Sequence, residues 1–118
     1  MIVKRGDVVL ARVPHIAGTR GKKRPAVVIQ ADAYNATLRH AVVAEVTSNP
    51  RWVSDPACLF IDIATPEGQA TGLHQSGSVS CLHLVTMSED RLGPPIGTLS
   101  PGLLQQLDAC LKVALGLP

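Results

Sequence analysis

The run Arg20-Gly21-Lys22-Lys23-Arg24-Pro25 sets four cations on a glycine-containing stretch that leads straight into the apolar segment Ala26-Val27-Val28-Ile29. Cations on a loop anchored by a buried strand are suited to gripping phosphate. Arg24 is the last of them and precedes a proline that stiffens the exit. Thr47, near the end of another apolar segment, is the natural companion. Arginine offers a planar fork of donors to a phosphoryl group, and threonine a rotatable hydroxyl. A phosphate held between two strand ends would meet both. Each residue also has a plainer reading: an arginine before proline in a surface salt bridge, and a strand-end threonine bonded to backbone.

Other chemistries fit less well. The four histidines (His15, His40, His74, His83) and three cysteines (Cys58, Cys81, Cys110) contain no Cys-x-x-Cys and no His-x-x-x-His. Cys81-x-His83 puts two ligand types on one strand face, but two ligands do not make a zinc site, so no metal and no cofactor is expected. No serine stands in a Gly-x-Ser-x-Gly elbow, and a cysteine nucleophile needs an exposed, electropositive setting. Cys110 and Cys58 read instead as core. Paired histidines could run acid–base cleavage of RNA, although no spacing brings a particular pair together.

Charge is unevenly spread. Residues 1–40 hold eight Lys and Arg against Asp7 and Asp32, a balance of +6, whereas residues 41–118 hold three against seven acids, a balance of −4. A localised anion site follows more naturally than a uniformly basic coat. With 46% hydrophobic residues but one Phe, one Tyr and one Trp, the core must be Val, Leu, Ile and Ala, and a surface of many base-stacking aromatics is not available. The 118 residues make one domain, residues 1–118, burying roughly two-thirds of its unfolded surface. Three cysteines without close pairing argue against a disulfide framework. No apolar run approaches the roughly 18 residues of a membrane span, and the N-terminus lacks a signal-peptide core, so the expected location is cytoplasmic.

The elements that must position these residues are mostly strands. Residues 7–13 read as the first, ended by Pro14, and a cationic loop runs from His15 to Arg24. Residues 25–30 read as a strand buried on both faces. Asp32 to Leu38 fits one helical turn capped by Asp32. Further strands are expected at 41–48, 57–63 and 77–87, the last bulged near Ser80, with a loop from Thr65 to Ser76. Short strands at regular spacing point to a small, strongly bent sheet or barrel. Ser100 is a good N-cap, Pro101 fits the first helical position, and Leu99 and Leu104 occupy staple positions. Leu103, Leu104, Leu107, Cys110, Leu111, Ala114 and Leu115 form one apolar stripe at helical period, stopped by Gly116.

In this order and spacing the segments resemble the MazF/PemK family of bacterial toxins, over about Val3 to Leu117. The resemblance rests on Lys4-Arg5-Gly6-Asp7-Val8, on Arg24-Pro25-Ala26-Val27-Val28-Ile29 followed by Asp32 and Asn35, and on Val46-Thr47-Ser48. Ser78-Val79, the Thr86 strand before Arg91-Leu92, Gly97-Thr98-Leu99-Ser100 and Leu115-Gly116-Leu117 complete it. It implies a mainly β fold with α, an SH3-like small barrel with a C-terminal helix, acting as a homodimer. It also implies metal-independent, sequence-specific cleavage of single-stranded RNA to a 2′,3′-cyclic phosphate and a 5′-hydroxyl, neutralised by a cognate antitoxin whose acidic tail fills the RNA groove. Arg24 matches the family's catalytic arginine and Thr47 its catalytic threonine or serine.

On this basis Arg20, Lys22, Lys23 and Ser48 are expected to bind RNA, and Trp52 either to stack a base or to fill a gap under its loop. Glu45 lies two residues before Thr47, on the same face of a strand and about 7 Å from it. It would assist as an auxiliary base, orient Arg24, or pair with a loop cation, the last being favoured. Several positions depart from the family pattern: Arg20 where an acid is common, Glu45 for a neutral residue, His83 for a glutamine and Val85 for an arginine. Two rivals share the fold. One is a gyrase-directed toxin like CcdB, which depends on a tryptophan near the C-terminus, whereas the only one here is Trp52. The other is an inactive SH3-like binding module.

Overall fold

The structure, a computed structural model, describes residues 1–12 and 23–118. Arg20, Lys22 and most of the expected cationic loop lie outside the described residues. Among the described residues six strands form one antiparallel sheet in the order β4-β5-β3-β2-β1-β6. They are β1 (Asp7–Arg12), β2 (Lys23–Val28), β3 (His40–Thr47), β4 (Cys58–Ile61), β5 (Gly77–Ser88) and β6 (Leu92–Thr98). Short helices α1 (Asp32–Asn35) and α2 (Pro66–Ala70) interrupt them, and α3 (Pro101–Leu115) ends the fold. The expected mainly β sheet with a C-terminal helix is what the chain forms. No helix among the described residues is long and apolar enough to cross a membrane.

α3 follows its capping signals. Ser100 Oγ accepts from Leu103 N–H at 3.1 Å, Pro101 opens the helix, and Gly116 caps it in the left-handed conformation at φ 67°. The same Ser100 hydroxyl donates to Glu67 of α2 at 2.8 Å, which ties the two helix starts together. Leu103, Leu107 and Cys110 are buried against Val8, Val27, Ala44, Leu59, Ile61, Val79 and Cys81 on one face of the sheet. Leu104, Leu111 and Ala114 flank that contact, but Leu115, at the edge of the stripe, is 56% exposed. The opposite face carries a thinner layer of small residues, including Val9, Ala11, Ala26, Val28, Ala41 and Val43. Val85 packs into this layer opposite Val43.

Several expectations are corrected. β2 begins at Lys23, so Arg24 is the second residue of a strand, opposite Ala11, instead of the last residue of the loop. Asp32 does not cap α1, whose N-cap is Ala31 with no side-chain bond. Its carboxylate accepts instead from Arg5 N–H at 2.6 Å and from Asn35 Nδ2, joining the N-terminal turn to α1. The Arg5 amide bond is the main reason the Asp32 carboxyl is held below its ordinary range. α2 occupies part of the expected Thr65–Ser76 loop: Thr65 Oγ1 accepts from Gly68 N–H at 3.0 Å and Pro66 sits in the first turn.

β6 had no expected counterpart, since Pro94 and Pro95 argue against a strand. An edge position tolerates them, and the β1–β6 ladder is correspondingly broken at two places. β6 also packs against the segment after α2. A methyl group built on Gly97 would fall into the backbone of Ala70 and Thr71, and one on Gly72 into the carbonyl of Ile96. Two glycines facing each other let β6 and the segment after α2 pack backbone to backbone.

Candidate active site

Where β2 begins, β3 ends and β5 begins, a cleft of about 540 Å³ opens. Proline chemistry accounts for it. Val28 O accepts from Gly6 N–H and Ile29 N–H donates to Val42 O, so along β2 the even residues bond toward β1 and the odd ones toward β3. Continuing that alternation, residue 25 would donate to Val46. Pro25 has no N–H to give, and the β2–β3 ladder stops at Ala26 opposite Glu45. The strands part there, and Pro25 and Val46 become cleft walls.

The same register places Arg24 across from Thr47, two residues beyond the last pair, with both side chains on one face. Both line the cleft, together with Ser48 and Asn49. Arg24 is exposed and Thr47 half-buried. Thr47 Oγ1 accepts from Asn49 N–H at 3.2 Å, which fixes the hydroxyl oxygen and leaves its proton for donation. Across the strand, Ser78 pairs with Thr47, and its buried hydroxyl is without a hydrogen-bond partner in the structure.

Other candidates lie around this centre. Lys23 is exposed directly opposite Arg12, a residue given no role in the sequence reading beyond its charge. Like charges facing each other across a ladder are unfavourable, and an anionic ligand relieves them. Glu45 is half-buried on the Thr47 face but is not among the residues lining the cleft. Trp52 also stays outside the lining: it sits in the turn Pro50–Trp52 with its edge on His83, ring centres 5.6 Å apart, and with the Arg51 guanidinium 4.7 Å over its face.

β5 carries the bulge expected near Ser80. Ala44 pairs with Leu84 but Glu45 with Ser80, so residues 81–83 are extra on β5. The bulge separates Cys81 from His83, which do not share a face as their spacing suggested. Cys81 is buried against α3, whereas His83 is exposed with Nδ1 at 2.7 Å from Ser80 Oγ. No cluster of three potential metal ligands occurs among the described residues. All three cysteines are buried, and burial pushes the Cys81 thiol up to about 12, opposite to the change that activates a nucleophile.

The third wall of the cleft is the segment from Leu73 to Gly77, which contributes His74, Gln75 and Ser76. It was read from the sequence as a plain loop. Its signal was present only as a histidine among Gly, Gln and Ser, with nothing local to bring it near Arg24.

Known proteins resemble this chain in sequence and fold. Residues 4–115 match the family described as PemK-like, MazF-like toxin of type II toxin–antitoxin system. The chain is 30% identical to a Bacillus subtilis protein named Endoribonuclease EndoA, over 99% of this chain and 97% of that one. It is 29% identical to the Mycobacterium tuberculosis protein named Endoribonuclease MazF6, over 99% of this chain and all of that one. Among solved structures, a mycobacterial endoribonuclease in complex with its cognate antitoxin superposes with a TM-score of 0.78 at 22% identity, covering 98% of this chain and 97% of that one.

Proposed function

The chain belongs to the PemK-like, MazF-like toxins of type II toxin–antitoxin systems, and we propose that it is an endoribonuclease cutting single-stranded RNA at a short preferred sequence without a metal. The meeting of Arg24 and Thr47 in one cleft, where Pro25 parts two strands, carries this reading. The ribose 2′-oxygen attacks its own phosphorus in line, and the bond to the 5′-oxygen breaks. The products are a 2′,3′-cyclic phosphate and a 5′-hydroxyl. Negative charge gathers on the non-bridging oxygens during attack. A guanidinium stays protonated throughout, so Arg24 serves as a charge stabiliser and not as a proton carrier. Thr47 donates its hydroxyl proton to the same oxygens, held in place by the Asn49 amide.

Lys23 and Ser48 hold flanking phosphates, and Arg20 and Lys22 extend that role. The chain acts in the cytoplasm as a homodimer, and a cognate antitoxin silences it by laying an acidic segment over the same cations. The test is to incubate the purified protein with a long RNA in EDTA and map the ends. Discrete cuts with cyclic-phosphate ends are expected, and Arg24→Ala and Thr47→Val should each slow them by about 10²–10³. Undiminished cleavage by Arg24→Ala removes the assignment.

A further inference from the structure

We propose that His74 is the general base of the cleavage, an inference that rests on the endoribonuclease reading. In-line attack requires the 2′-hydroxyl to lose a proton, and neither Arg24 nor Thr47 can take it. The guanidinium is already fully protonated, and a threonine hydroxyl is too weak a base, since its protonated form is a very strong acid. Among the described residues lining the cleft, Arg24 and His74 are the only charged or titratable groups. The residues that β1, β3, β6 and the turn after β3 contribute to the cleft are apolar, hydroxyl or amide in character, and β2 contributes Arg24 and Pro25. Imidazole is the side chain whose ordinary titration falls between pH 5 and 8, which suits proton transfer near neutrality.

The segment holding His74 is pinned on both sides. Upstream, Thr71 is fully buried, its hydroxyl donates to Gly68 O at 2.5 Å, and its Oγ1 accepts from Leu73 N–H at 3.3 Å. Gly72, at φ 74°, then seats the chain against Ile96 of β6. Downstream, Ser76 Oγ accepts from Ile63 N–H at 3.1 Å before β5 begins. His74 itself remains exposed, so a side chain free to meet a ligand projects from a backbone that is not. The pinned backbone keeps His74 on the cleft wall.

The step balances without a further reactant. Neutral His74 takes the 2′-hydroxyl proton as the bond from the 2′-oxygen to phosphorus forms. The bond to the 5′-oxygen breaks, and that oxygen takes a proton from water to leave as the 5′-hydroxyl. Imidazolium then returns its proton to solvent.

The experiment measures kcat/KM between pH 5 and 9 on a fluorogenic oligoribonucleotide built around a cut site mapped on the long RNA. Wild type should rise with pH through an acidic limb and then level off. His74→Gln should be slower by about 10²–10⁴ at the plateau and lose the limb. Arg24→Ala should keep the limb while lying lower throughout. His74→Gly should regain activity with added free imidazole, which separates lost chemistry from a disturbed loop. A limb that survives in His74→Gln, or that vanishes instead in Glu45→Gln, overturns the proposal. So does a His74→Gly variant that folds but gains nothing from imidazole. A wild type that cuts no RNA fails at the earlier step and sinks the endoribonuclease reading itself.

Discussion

The seam between β6 and the segment after α2 makes a quantitative prediction, because one added methyl group should have opposite effects at two glycines. In Gly97→Ala the new Cβ meets backbone atoms of Ala70 and Thr71, which cannot rotate aside as a side chain would. Overpacking costs about 1–3 kcal/mol, and with backbone as the obstacle the upper end, about 3 kcal/mol, applies. In a domain of this length each kcal/mol shifts Tm by about 4 °C, so the variant should melt about 12 °C below wild type. At Gly102, in the first turn of α3, the nearest atom to the new Cβ is Ser100 Oγ at 3.9 Å, ordinary contact distance. There alanine restricts the unfolded chain, contributes about 0.4–1 kcal/mol and should raise Tm by about 2–4 °C. Circular dichroism melts of the three proteins read both signs together. If Gly97→Ala melts within about 2 °C of wild type, β6 does not pack backbone to backbone on that seam and the pinning of His74 loses its support.

The depressed Asp32 carboxyl predicts a pH dependence. Its folded-state value lies below the unfolded one near 3.8, so the stability it contributes is present above about pH 4 and lost as pH falls through the lower folded value. Asp32→Asn should therefore be less stable than wild type at neutral pH, and urea melts should show the gap closing toward pH 3. The facing cations predict a salt effect. For Lys23→Ala or Arg12→Ala, the slope of log RNA affinity on log salt should flatten by about 0.7 for each phosphate contact removed. Fluorescence anisotropy of labelled single-stranded RNA between 50 and 300 mM salt checks it, and unchanged slopes would place the flanking phosphates elsewhere.

Local patterning made α3 readable, because cap, first-turn proline, apolar stripe and terminal glycine all lie within one stretch of about eighteen residues and act on each other directly. The strands 41–48 and 77–87 were legible for a similar reason. β6 was not: Pro94 and Pro95 speak against a strand unless it is known to lie at an edge, and edges are a property of the assembled sheet. Leu115 erred in the other direction. Its place in the helical stripe is plain from sequence, but how far round the helix the core reaches is not.

What the chain determined by itself is its chemistry: a proline after the last cation, a permanent guanidinium at Arg24 and a hydroxyl at Thr47. Their meeting was settled by the register of β2 on β3, a result of burying Val27 and Ala44 on the α3 side. Only the folded sheet decided that His74 joins them, since it reaches the cleft through Gly72 seated against Ile96, a contact between segments more than twenty residues apart. Side-chain type acts over one or two turns of chain, whereas neighbours across a bent sheet depend on how every strand between them packs.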